Sequence, residues 1–154
     1  MKRNFPKPLL HHPVLSAQIG FNLQMASLRV AAQIREALAR FEISPAKATA
    51  LSLVRMNPGC DQSALGRALL VNRASAMKIV NSLSSGGLVE RKPGRNLRTN
   101  ALFLTEAGER LLDALLPAIE QADALAVREL EPTQRKALRR ILAPLAKLHG
   151  GEDP

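Results

Sequence analysis

Residues 62–85 read QSALGRALLVNRASAMKIVNSLSS, and their spacing describes two short helices packed across a tight turn. Apolar side chains recur at Leu65, Leu69, Val71, Ala76, Ile79 and Leu83, with Gly66 small where the first helix must approach the second. Asn72 is placed to cap the second helix, because its short amide can accept from the first free backbone N–H groups. The positions left outside the apolar stripe are Arg73, Ala74, Ser75, Met77 and Lys78, and none is acidic. A helix with that outer face suits the major groove of duplex DNA.

The chain continues as GGLVERKPGRNLRTNALFLTEAG over residues 86–108, which supplies a Gly-Gly helix stop, a short strand at 88–92 and a returning strand at 101–104. Pro93, Gly94 and Asn96 are turn formers, surrounded by Arg91, Lys92, Arg95 and Arg98, so the hairpin reads as a basic wing. A helix-turn-helix followed at once by a Gly-Leu-Val-Glu-Arg strand, a basic hairpin and Leu104-Thr105-Glu106-Ala107-Gly108 resembles the MarR family of winged-helix regulators, over nearly the whole chain. Asn72 and Arg73 match the family's helix start, and Leu83 with Gly87-Leu88-Val89 match its helix end.

The resemblance implies an obligate dimer, recognition of duplex DNA by the second helix of the motif plus the wing, and release by a small, often aromatic, effector. Two positions depart from the pattern. The family wing usually carries Asp-x-Arg, whereas Asn96-Leu97-Arg98 keeps the arginine and replaces the acid by an amide. Leu70 stands where such turns often have Gly, and a Leu at positive φ is strained.

Charge agrees with this reading. Among 154 residues, 22 are Lys or Arg and 13 Asp or Glu, a net charge of +9 that fits a polyanionic partner. Over residues 67–104, seven basic side chains face the single acid Glu90, while residues 105–131 carry seven acids against two arginines. The positive field is concentrated on the motif.

Outside the motif the chain is patterned for helices. Apolar residues recur at Leu15, Ile19, Leu23, Ala26, Val30, Ile34, Leu38 and Phe41, predicting one helix over residues 14–41, roughly 40 Å long at its rise per residue. Ser44-Pro45 starts a second helix that stops before Asn57-Pro58-Gly59. Thr105 starts a long helix that Pro117 should bend, and Pro132 opens the last one. The expected fold is mainly α with a small β-wing: a winged helix-turn-helix at 44–104, with dimerisation helices at 1–43 and 105–154. A single winged-helix unit cannot cover three further amphipathic helices, so two-fold pairing of the chain is expected.

Several classes are disfavoured. His11, His12 and Pro13 interrupt any signal-peptide core, and no apolar run is long enough for a membrane span, so a cytoplasmic protein without membrane contact is expected. A lone Cys60 excludes an internal disulfide and reads as a structural thiol; with three histidines and no paired cysteines, no metal or other cofactor is expected. Phosphate loops, nucleophile-base constellations and paired carboxylates are missing, which argues against an enzyme. With no Trp or Tyr and four Phe, single-strand binding by base stacking is disfavoured as well.

The expected function is a sequence-specific transcriptional regulator, a repressor released by a small effector, with Asn72, Arg73, Ala74, Ser75, Met77, Lys78, Arg91, Arg95 and Arg98 on DNA. The competing reading is an architectural, nonspecific DNA-binding protein. By the resemblance, ligands lodge where the first, second and fifth helices meet; Asn22, Met25, Arg29, Leu51 and Arg55 are the candidates, with a guanidinium to hold an acid or thioester. The stretch SPAKATALSLVRMNPG is similar to a branch that controls aromatic-acid breakdown, where acyl-CoA thioesters act as inducers.

Overall fold

The structure, a computed structural model, describes residues 13–94 and 100–146. Its elements run α1 (Pro13–Ser16), α2 (Ile19–Ala39), α3 (Pro45–Met56), β1 (Cys60–Asp61), α4 (Gln62–Ala68), α5 (Arg73–Ser85), β2 (Val89–Pro93), β3 (Asn100–Leu104), α6 (Glu106–Ala126) and α7 (Pro132–Ala146).

Four helices start where a short polar side chain turns back on the backbone. Ser44, Asp61, Asn72 and Thr105 accept from the N–H of Lys47, Ala64, Ser75 and Gly108, satisfying donors that a helix start leaves without a partner. The predicted 14–41 helix is interrupted instead. Gln18 is extended at φ −83° and ψ 123°, and Asn22 Nδ2 donates to the Ser16 carbonyl at 2.8 Å. Side chains that bond locally to the backbone compete with the helical ladder, which apolar spacing does not register. α6 runs without a break through Pro117.

The sheet is antiparallel with order β1-β3-β2, pairing Val89 with Leu104 and Cys60 with Leu102. The hairpin was expected, but β1, only two residues long, was not. One continuous core joins Leu38 of α2, Leu51 and Val54 of α3, Leu65 of α4, Val80 and Leu83 of α5, Leu102 of β3 and Leu112 and Leu115 of α6. The helix-turn-helix and the α2–α6 pair therefore share packed side chains.

The helix-turn-helix turn shows how local chemistry ends α4. Val71 N–H donates to the Gly66 carbonyl and Leu70 N–H to the Arg67 carbonyl, both at 3.1 Å, with Leu70 at φ +54°. This is the double-bonded helix stop that normally places glycine in the left-handed position. α5 ends the same way, with Leu88 N–H on Leu83, Gly87 N–H on Ser84, and Gly87 at φ +68°. The same closure is thus made once with Gly and once with Leu.

Candidate nucleic-acid interface

α4 and α5 meet at Gly66, where an added Cβ would lie 3.0 Å from Ala76 Cβ. That contact sets the rotation of α5. Ala76, Val80 and Leu83 point into the core, Ser75 is half-buried, and Asn72, Arg73, Ala74, Met77 and Lys78 are exposed. Met77 is 48% exposed, so the outward side chain expected there is outward. Asn72 spends its amide oxygen on Ser75 N–H at 2.9 Å, which makes it first a helix cap. Arg67 and Arg73 flank a groove of about 190 Å³ that Gln62 and Ser63 also line.

Among the described residues, one side-chain hydrogen bond ties the wing to this surface. Arg91, on β2, donates from Nη2 to Oδ1 of Asn81, on α5. Asn81 lies three residues after Lys78 and four after Met77, on the same helical face, but was not among the sequence candidates. Helical spacing alone would have found it. Glu90, the one acid of the segment, pairs with Lys92 at 2.7 Å, and Lys92 Nζ lies 5.0 Å from the Phe103 ring centroid. The surface therefore presents Arg67, Arg73, Lys78 and Arg91 around small and apolar groups, suited to phosphates and base edges together. Arg95, Asn96 and Arg98 lie outside the described residues.

The five effector candidates lie on α2 and α3, and most are already buried or bonded to other groups. Leu51 is sealed in the core. Asn22 is bound to the Ser16 carbonyl, and Met25 is exposed. Arg29 pairs with Glu129 at 2.8 Å, a contact that raises the Arg29 pKa and lowers that of Glu129. Arg55, on α3, reaches α6 twice: Asp113 at 2.6 Å and Glu109 at 3.7 Å. A separate apolar cavity of about 640 Å³ opens between α2, the end of α6 and α7; Leu23, Val30, Ile34, Val127, Leu138 and Leu142 line it, with Arg135 and Arg139 among its polar groups. None of the five candidates lines it.

Cys60 is half-buried in the small sheet, and burial together with Asp61 pushes its thiol pKa up. That is the direction opposite to a reactive thiolate. Among the described residues no group of three His, Cys, Asp or Glu side chains is arranged to hold a metal, and no helix is long and apolar enough to cross a membrane.

Comparison with known proteins gives the same outline. The sequence pattern of the MarR family matches residues 41–96. The chain is 28% identical over 138 residues to a regulatory protein of the hcr operon in Thauera aromatica, covering 88% of this chain and 83% of that one. A transcriptional regulator from Pseudomonas aeruginosa superposes with TM-score 0.77 at 30% identity, over 85% of this chain and 98% of that one. The repressor CouR, bound to a 23-mer DNA duplex, superposes with TM-score 0.82 at 26% identity, over 90% and 99% of the two chains. CouR from Rhodococcus jostii RHA1 has also been solved with p-coumaroyl-CoA, and that structure shares the fold at TM-score 0.77 and 23% identity, over 92% of this chain and 100% of that one.

Proposed function

The chain belongs to the MarR family of transcriptional regulators, and from that premise we propose that it is a homodimeric repressor of a pseudo-palindromic operator, released by an aromatic acid or aromatic acyl-CoA. The observation that carries the DNA reading is the outer α5 face, exposed Arg73, Ala74, Met77 and Lys78 with half-buried Ser75 among them and Arg91 of the wing tied beside it. Arg73 and Lys78 meet the operator as cations; Ala74 and Met77 offer apolar contact to thymine methyl groups. From the sequence alone, Arg95 and Arg98 are assigned to DNA, with Arg98 in the minor groove. The protein acts in the cytoplasm, on DNA, and catalyses no reaction.

Residues 44–104 form the DNA-reading unit, and 1–43 with 105–154 the dimerisation region. Exposed Val14, Leu15, Ile19 and Leu28 on α1 and α2, exposed Ile141 and Leu145 on α7, and the open apolar cavity between these helices support a face that a second copy covers. The effector reading rests on the p-coumaroyl-CoA complex of CouR and on the arginines of α2 and α3. An acid arriving near Asn22, Met25, Arg29 and Arg55 exchanges with Glu129, Asp113 or Glu109, and it reaches Leu51 only if α3 and α6 part. Arg55 ties α3, in the DNA-reading unit, to α6, in the dimerisation region, so the exchange changes the separation of the two recognition helices. A tenfold loss of DNA affinity needs a coupling of about 1.4 kcal/mol.

Selection from a randomised duplex pool, followed by titration on the selected and on random duplex, tests the function. Arg73→Ala is expected to cost about 1 to 3 kcal/mol on the selected duplex and less on random DNA. Equal losses on both would leave Arg73 a phosphate contact, and a wild-type protein with no preferred duplex would favour the architectural reading. Calorimetry with hydroxycinnamic and benzoic acids and their CoA thioesters tests release: linkage requires the inducer to bind operator-bound protein more weakly by the same factor.

A further inference from the structure

We propose that Asn81 is a positioning residue for DNA binding: it holds the Arg91 guanidinium of the wing in register with the recognition helix α5, and does so without neutralising it. This rests on the DNA-binding function above. Asn81 sits in the third turn of α5, on the face shared by Ala74, Met77 and Lys78, and its Oδ1 accepts from Arg91 Nη2. Arg91 lies on β2 opposite Leu102 of β3, so its backbone is fixed by the sheet while its long side chain is exposed. An exposed arginine gives up rotamer entropy whenever it is fixed on a phosphate, because its long side chain has many rotamers to lose. The bond to Asn81 spends part of that loss before DNA arrives, and a guanidinium with five donors still has others to offer.

The choice of an amide follows from the partner. A carboxylate at position 81 would orient Arg91 more strongly, but it would cancel its charge and set an anion among Arg73, Lys78 and the phosphates. The only acid on this segment, Glu90, is already neutralised by Lys92. A neutral acceptor orients the cation and leaves the positive field intact.

The test is a double-mutant cycle with wild type, Asn81→Ala, Arg91→Ala and the double variant. Each is titrated against the duplex selected from the randomised pool and against random duplex, over a range of salt. Both side chains are exposed, so all four proteins are expected to melt alike. Asn81→Ala is expected to weaken binding about threefold to tenfold, the usual net effect of one hydrogen bond at an exposed site. It should leave the slope of log affinity against log salt unchanged, whereas Arg91→Ala lowers that slope by about 0.9, one phosphate contact. In the Arg91→Ala background, Asn81→Ala should cost nothing further. An equal cost in both backgrounds would mean that Asn81 touches DNA itself, and no cost in either would mean that the bond does not position Arg91; both overturn the role. If the wild type prefers no duplex, the function fails first, and the two failures are distinguishable.

Discussion

Gly108→Ala sets two rules against each other at one atom. Gly108 lies in the first turn of α6, and in a helix alanine is favoured over glycine by about 1 kcal/mol, so propensity predicts a gain. The structure predicts a loss. A Cβ at position 108 would fall 2.1 Å from the Leu88 carbonyl oxygen, where real Cβ contacts are essentially never under 3.0 Å, so the backbone must separate by about 0.9 Å. That carbonyl also accepts from Thr105 N–H at 3.1 Å, and Thr105 Oγ1 donates to the Gly87 carbonyl at 2.6 Å while capping Gly108. The shift therefore strains the α6 cap and the start of the wing together. Overpacking costs about 1 to 3 kcal/mol, and loss of the cap about 1 more. Against the propensity gain, a net loss of about 2 kcal/mol remains, or about 4 to 8 °C in melting temperature for a chain of this size. Urea unfolding at fixed protein concentration reads it, because the stability of the proposed dimer depends on concentration. A variant as stable as wild type, or more so, would refute the close approach of α6 to Leu88.

Leu70→Gly is the opposite case: Leu70 is 81% exposed at φ +54°, so glycine relieves left-handed strain of about 1 kcal/mol while giving up little burial, and a higher melting temperature is expected. Cys60, its thiol pKa raised by burial and by Asp61, should react with iodoacetamide at pH 8 more slowly than it does in urea, and an equal rate would rule out the burial. Glu129 has its pKa lowered by Arg29, so whatever stability the pair contributes is present above the ordinary glutamate range and lost as pH falls through the lowered value; both side chains are exposed, so melting curves of Glu129→Gln should barely move. The same variant frees Arg29 and should tighten binding of an anionic effector if Arg29 receives it; unchanged affinity in calorimetry would remove Arg29 from the site.

The sequence by itself determined the features that depend on neighbours along the chain. Ser44, Asn72 and Thr105 start helices where read, because a cap needs only the next three residues. The Gly86-Gly87 stop, the hairpin and the inward stripe of α5 are equally local, and they were enough to identify the winged helix-turn-helix and which side chains of α5 point outward. Tertiary structure decided what depends on distant partners. Strand β1 exists only because Cys60 and Asp61 find Leu102 and Ala101, some forty residues later. The predicted first helix breaks at Gln18 because Asn22 turns back to Ser16, a competition that apolar spacing does not weigh. Arg29 and Arg55 looked available in sequence, yet carboxylates 100 and 58 residues away hold them. Arg91 meets Asn81 only once the wing has folded back along α5. Capping and periodicity act over a few residues, whereas ion pairs and sheet edges are settled by which surfaces the closed core brings together.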